Sequence, residues 1–464
     1  MSSRVLLLFP PSRTHYAVPP LGLGYLATAL QRRGFTVEIL DAVRERLSPA
    51  EVERRIAAAP PAMVGIQTFS YDVPAVRDLT DRIRRVAPAV PIVIGGAHPS
   101  GSPETVLDDI PSTNFAVQGE GEEALPLLAG RLLPGEPIAL EEVPGLIYRT
   151  AAGVRRNPPR VVDDLDTLGF PAWDLMDPRQ YRGAPQGVFV QAPPVAPIST
   201  SRGCPYLCGY CAGSTISGRR LRYRSIPHVL GEIDLLVRDF GVREVHIVDD
   251  NATAVRERIF ALCAGLALRR HPVRLAFPNG VRLDTLDAEI LGELRRAGCH
   301  SLIVGIESGS DRVLRLMQKG LTTAAIRKGV ELIRGAGIHA AGFFILGYPG
   351  ETPEEARETI RFARSLNLTA AHFSNFLPLP GTAATQRLRA EGRLGELDWS
   401  SLFYARTPYQ PDGFRPGELK RLQRRAYLTF YLRPQVLWGL RGSVRSIAQM
   451  LAILRRLRDY LGAW

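Results

Sequence analysis

Short apolar runs separated by amphipathic segments recur along the first third of the chain. Val5 to Phe9 is compact and apolar and ends at Pro10-Pro11. Gly22 to Arg33 follows with Leu23, Leu26, Ala27 and Leu30 at helical spacing, closed by Gly34. The alternation then repeats. Val37 to Leu40, Met63 to Thr68, Ile92 to Gly95 and Phe115 to Gln118 read as strands, with helices over Pro49 to Ala58 and Val73 to Val86. Buried strands alternating with amphipathic helices predict a doubly wound parallel sheet over residues 1–140. Ligands of such sheets lie beyond the carboxyl ends of the strands. There the small and polar residues collect: Thr68 and Ser70, Gly95, Gly96 and His98, Gly119 and Glu120. Glycine lets backbone approach a large ligand closely, although each segment taken singly also reads as an ordinary turn. His98 and His15 read as packed or solvent-facing side chains and not as metal ligands.

Residues 141–195 break the pattern. Gly145 to Arg160 alternates about a turn at Gly153, as a β-hairpin does, and Val161 to Arg179 is polar and proline-punctuated, a linker between domains. From 196 to 390 strand-like runs return: Ile198 to Ser201, Glu244 to Val248, Arg274 to Pro278, Leu302 to Ile306, Ala341 to Leu346 and Ala371 to Phe376, with helical patterns between them. Six such units predict a partial (β/α)6 barrel with its chemistry at the carboxyl ends of the strands. Those ends carry Asp249-Asp250-Asn251, Asn279 to Arg282, Glu307-Ser308-Gly309 and Gly347 to Glu351. Asp249 and Asp250 also read as a helix N-cap, Glu351 as a cap or surface group, and Lys319 as a surface cation.

The last region, 391–464, is helical and basic. Ser443 to Leu461 sets Val444, Ile447, Leu451, Leu454, Leu457 and Leu461 on one face, opposite Arg445, Arg455 and Arg458. Such a helix either docks on the open side of the barrel or lies on an anionic membrane surface. The chain has 464 residues, 45% of them hydrophobic, and a formal net charge of +12. No long lysine or arginine block accompanies that charge, which disfavours nucleic acid as a partner. No apolar stretch is long enough to cross a bilayer, and the first residues read as a strand and not a signal peptide. The expected compartment is the cytoplasm.

One loop carries unusual chemistry: Ser201-Arg202-Gly203-Cys204-Pro205-Tyr206-Leu207-Cys208-Gly209-Tyr210-Cys211. Three thiols at C-x-x-x-C-x-x-C spacing can converge on one centre. Three thiolates on an iron-sulfur cube leave one iron open to a bound molecule. Zinc is the competing reading, but a structural zinc site wants a fourth Cys or His, which the loop itself does not supply. Cys263 and Cys299 lie in distant, helix-like sequence, and five cysteines suit a reducing compartment better than a disulfide framework.

The spacing, with Tyr210 just before the last cysteine, resembles the radical S-adenosylmethionine (SAM) superfamily, and the first domain resembles its cobalamin-binding, class B methyltransferase branch. That resemblance implies a 4Fe-4S cluster on Cys204, Cys208 and Cys211, SAM on the open iron, and Tyr210 beside the adenine. It implies Asp249 and Asp250 at the SAM ammonium, Arg282 at its carboxylate, Glu307 and Ser308 at the ribose, and Gly347 with Glu351 along the adenine. In the first domain it implies cobalamin bracketed by the loops of Thr68, Ser70, Gly95, Gly96, His98, Gly119 and Glu120. No D-x-H-x-x-G motif occurs at Asp41, so no histidine from that position is expected below the cobalt. A small-molecule substrate and an external flavodoxin- or ferredoxin-like electron donor are implied as partners. The resemblance points to methyl transfer onto an unactivated carbon or phosphorus centre of a small or lipid-like molecule. The anaerobic bacteriochlorophyll cyclase has a similar arrangement and is the alternative, and a non-catalytic cobalamin or cluster carrier is a further one.

Overall fold

The computed structural model describes residues 4–12, 17–181, 189–402, 407–434 and 436. His15 and the amphipathic segment 443–461 lie outside them.

Strands β1 (Arg4–Phe9), β2 (Thr36–Asp41), β3 (Met63–Gln67), β4 (Ile92–Gly95) and β5 (Phe115–Val117) pair in parallel. Successive side chains of β1 enter opposite cores. Val5 and Leu7 join Leu23, Leu30 and Leu128 on one face, while Leu6 and Leu8 meet Val52, Val76 and Leu79 on the other. This two-sided burial is why the strands read as continuous apolar runs. The expected hairpin forms as β6 (Leu146–Thr150) and β7 (Gly153–Arg156), but β6 pairs antiparallel with β5. It therefore extends the first sheet to seven strands in the order β2-β1-β3-β4-β5-β6-β7 and is not a free linker element.

The segment after the hairpin wraps as expected. Thr28 donates to Phe170 O at 2.7 Å, and the buried Trp173 donates to Glu232 Oε1 at 2.8 Å, so the wrap joins the Leu21–Arg32 helix to the Ile226–Phe240 helix.

The second sheet starts with β8 (Val195–Ile198). A two-stranded ribbon, β9 (Ser201–Arg202) and β10 (Arg222–Tyr223), interrupts it. It continues through β11 (Glu244–Ile247), β12 (Arg274–Val281), β13 (Cys299–Glu307), β14 (His339–Leu346) and β15 (Ala370–Asn375). All six sheet strands are parallel, and neighbours in space are neighbours in sequence order, which is the predicted partial barrel. β12 outruns its expected end at Pro278 because a register shift between Phe277 and Val281 carries Asn279 and Gly280 into the strand. The helix Glu418–Tyr431 packs along β15. Among the described residues no helix is long and apolar enough to cross a membrane.

Candidate active site

The β9–β10 ribbon is the stem of the thiol loop. Gly203 leaves it at φ 93°, and a Cβ there would run into the Arg220 carbonyl, so the turn needs glycine. Cys204 N donates to Gly218 O at 3.3 Å, and Cys211 N to Cys208 O at 3.1 Å. Gly209 N donates to Met317 O and accepts at its carbonyl from Ala384 N, both at 2.9 Å, which pins the loop to the barrel rim. Cys204 and Cys208 are half-buried, and Cys211 is open to solvent. The surrounding protein disfavours the thiolate at Cys204 and lifts Cys211 to about 11, and neighbouring sulfurs add to both effects. No group of three or more Cys, His, Asp or Glu side chains among the described residues is already arranged to hold an ion. The donor set still fits a three-thiolate cluster: three neighbouring sulfurs share one loop, and Cys263 and Cys299 are buried elsewhere. His228, the next histidine in sequence, is engaged by Arg224 at 3.0 Å and by Asp166 at 3.1 Å.

Around the loop the structure brings most of the expected barrel residues together, but gives several of them protein partners. Asp249 accepts from Thr200 N (2.6 Å), Thr200 Oγ1 (2.5 Å) and Ser201 Oγ (2.6 Å), so its carboxylate braces the stem and is not free for an ammonium group. Asp250 borders a cavity, where partial desolvation raises its carboxyl above the usual range against hydrogen bonds from Gly203 and Ser217 that lower it. Arg282 is committed to Asp284 at 3.0 and 2.8 Å and to Lys319 O at 2.9 Å, and not held out for a ligand carboxylate. Glu307 has φ +66° and pairs with Lys319 Nζ at 2.9 Å. Ser308 is fully buried against Thr359 at 3.1 Å, too deep to meet a ribose. Gly347 faces Leu419 and Pro411, and the buried Glu351 accepts from Gly347 N, so this loop is braced from within. Burial pushes the Glu351 carboxyl up to about 8. Neither a cap nor a surface role describes it. Lys319 is buried, not a surface cation; its Nζ also reaches the Tyr210 hydroxyl at 3.2 Å.

A cavity of about 310 Å³ opens between the two domains. The first sheet contributes Gly95, Gly96 and Gly119 over an apolar floor that includes Leu7, Val93 and Leu125. The barrel side contributes Arg202, Ile216 and Asp250. Gly96 takes φ +106° and Gly119 φ +80°, while a Cβ at Gly95 would meet open space. A glycine rim over an apolar floor fits a flat macrocycle with an organic tail, as cobalamin has. Among the described residues no histidine lines the cavity. Thr68, Ser70 and His98 lie behind it. Thr68 bonds the loop backbone, and His98 is buried between Ser70 (3.3 Å), Asp109 (3.3 Å) and the edge of Trp399. Their role is to hold the loops, because no edge of these side chains faces the cavity. Glu120 borders the cavity, yet its carboxylate is taken by Arg222 at 2.6 and 2.9 Å and Arg202 at 3.3 Å. Burial opposes its charge, and the Arg222 bonds outweigh that and keep its pKa low.

The sequence alone assigns no role to Arg202, Tyr206 or Asn251 and does not single out Arg222 at all. The alternation Arg222-Tyr223-Arg224 hints at a ribbon with buried cations, but partners 102 residues away leave no local signal. Asn251, on the loop after β11, is 1% exposed with neither side-chain amide atom hydrogen-bonded.

With this geometry in view, comparisons identify the two halves. Residues 198–363 match the model of the radical SAM superfamily, and residues 12–129 match that of the B12 binding domain. An uncharacterized methyltransferase of Pyrococcus horikoshii is 31% identical over 446 residues, covering 94% of both chains. The chain belongs to the cobalamin-dependent radical SAM methyltransferase family. Its cofactors are a 4Fe-4S cluster, SAM and cobalamin. The cytidylyl-2-hydroxyethylphosphonate methyltransferase of Streptomyces wedmorensis is 29% identical, covering 87% of this chain and 84% of its own. The anaerobic magnesium-protoporphyrin IX monomethyl ester cyclase of Cereibacter sphaeroides is 27% identical, covering 89% and 67% respectively. Among solved structures, the radical SAM methyltransferase TsrM of Kitasatospora setae, with cobalamin and a 4Fe-4S cluster bound, superposes with a TM-score of 0.68 at 26% identity, covering 86% of this chain and 76% of that one.

Proposed function

We propose that this enzyme methylates an unactivated carbon or phosphorus centre of a small molecule, with Cys204, Cys208 and Cys211 holding the cluster. The observation that carries the reading is the shared joint: Arg202 and Asp250, at the foot of the thiol loop, line the same cavity as Gly95, Gly96 and Gly119. Held by the three loop thiolates, a 4Fe-4S cluster would supply the electron for SAM cleavage, and cobalamin in the cavity would supply the methyl group. The chain's own residues do the rest. Asp250 is the acceptor for the SAM ammonium, since Asp249 is occupied in bracing Thr200 and Ser201. The glycine rim admits the corrin. Leu7, Val93 and Leu125 keep water from the floor. No protein nucleophile or base is needed. Relatives named as methyltransferases, one of them spanning nearly the whole chain, support methyl transfer over cyclisation.

The test is anaerobic reconstitution with iron, sulfide and hydroxocobalamin, followed by SAM and a strong reductant. Expected products are 5'-deoxyadenosine and S-adenosylhomocysteine. Deoxyadenosine alone, from protein carrying cobalamin, would move the assignment to a cyclase-type reaction like that of the Cereibacter relative. Cys204→Ala, Cys208→Ala and Cys211→Ala should each lose iron, whereas Cys263→Ala should keep it. Iron retained in all three loop variants would remove the ligand assignment.

A further inference from the structure

Two cations reach the thiol loop from the barrel, one on each side of Cys208. Lys319 meets the Tyr210 hydroxyl at 3.2 Å and Glu307 at 2.9 Å. Arg282 is placed more tightly. Its guanidinium lies over the Tyr206 ring, 3.6 Å from the centroid, and Nη1 points at Cys208 Sγ at 3.9 Å. Asp284 holds the opposite edge of the fork through Nε and Nη2, and Lys319 O accepts from Nη2 as well. A bidentate carboxylate, a carbonyl and a stacked ring fix all the guanidinium freedom, leaving one N–H edge toward one sulfur. Such a construction is more than a surface ion pair requires, since the Arg282 side chain is 9% exposed. Arg282 is the first residue after β12, and Gly209, next to Cys208, is tied to Met317 O by its backbone N–H.

We propose that Arg282 is a positioning residue for the cluster. It donates an N–H···S hydrogen bond to the Cys208 thiolate, raises the reduction potential of the cluster and sets the orientation of the Cys208 ligand. Hydrogen bonds to ligand sulfurs and local charge are among the determinants of iron-sulfur potentials, and partners outside the ligand set orient the ligands themselves. The cluster gains one negative charge when it takes up an electron. A fixed cation donating to a ligand sulfur stabilises that state, so its removal makes the potential more negative. This inference rests on Cys208 being a cluster ligand.

The experiment compares wild type, Arg282→Gln and Arg282→Lys as reconstituted holoenzymes, measuring iron and sulfide content and the midpoint potential by an EPR-monitored redox titration without SAM. Expected is wild-type iron content in both variants, a more negative midpoint in Arg282→Gln, and a partial return in Arg282→Lys, which keeps the charge but not the fork. An unchanged midpoint in Arg282→Gln at full iron content overturns the proposal. Loss of iron from both variants also overturns it, by making Arg282 a scaffold of the loop. Wild-type protein that takes up no iron fails at the earlier step, the ligand assignment, so the two failures are told apart by the iron assay.

Discussion

Glu351 is a carboxyl enclosed in the loop after β14, accepting from the backbone of Gly347 and Tyr348 while Oε1 has no hydrogen-bond partner. Burial raises it from 4.5 to about 8. Between those values the folded chain keeps a proton that the unfolded chain has lost. The stability linked to this group is complete below pH 4.5 and is lost as pH rises toward about 8. Glu351→Gln keeps an acceptor for the two backbone N–H groups without a charge to desolvate. Thermal unfolding between pH 5 and 8 should therefore show a flatter decline of Tm in the variant than in wild type; parallel curves would mean that the carboxyl stays ionised in its loop. The sequence disclosed neither this burial nor that of Lys319. A charged residue reads as exposed unless its partner is near in sequence, and the carboxylate of Glu307 meets Lys319 because the turn after the Asp311–Leu316 helix returns to the end of β13.

The edge of the barrel is held partly by side-chain hydrogen bonds. Among the described residues β15 has no strand beyond it, and an unpaired edge is a template for aggregation. The helix Glu418–Tyr431 covers it with residues four apart: Gln423 Nε2 donates to Phe373 O at 2.7 Å, Tyr427 Oη accepts from Phe373 N at 3.2 Å, and Tyr431 Oη exchanges bonds with both backbone groups of Ala371. Three side chains thus replace part of a missing strand. Tyr427→Phe and Tyr431→Phe should each cost about 1 kcal/mol. The double variant should exchange the amide hydrogens of Ala371 and Phe373 faster than wild type by hydrogen-exchange mass spectrometry; equal protection would mean that the helix seals the edge by apolar contact alone. Five of the six barrel strands are legible in the sequence because burial writes them as apolar runs; the first is expected at Ile198 to Ser201 but runs over Val195–Ile198, since Ser201 pairs in the ribbon instead. The pairing of the β6–β7 hairpin with β5 was not, since hairpin periodicity specifies its own two strands and not the third. The extension of β12 through Gly280 was hidden as well, because a bulge breaks the alternation that marks a strand.

At the scale of the whole molecule, one buried ion network joins the domains. Glu120, on the loop after β5, takes a forked bond from Arg222 at the stem of the thiol loop, and Arg202 spans Glu120 and Glu122 (2.5 Å) with its guanidinium over Tyr25. Side-chain exposures of 2% for Arg222 and 3% for Glu120 exclude the screening that makes surface pairs weak. Removing one partner leaves a buried charge uncompensated, at a cost of about 3–5 kcal/mol. Arg222→Met and Glu120→Gln should therefore each lower Tm, and the double variant should lose less than the sum, with a coupling of about 0.5–3 kcal/mol. The network also ties two sites together. Glu120 borders the cavity proposed for cobalamin, whereas Arg222 does not line it, yet Arg222 fixes the loop that carries Gly119. Hydroxocobalamin titrated into the apoprotein should bind Arg222→Met more weakly than wild type, although no contact with the corrin has been removed. By linkage, cobalamin in excess should restore part of the lost Tm. An unchanged Kd beside a lowered Tm would confine the pair to holding the domains together. A raised Kd would make the stem of the thiol loop part of the cobalamin site, so that each cofactor is bound by a protein surface the other helps to order.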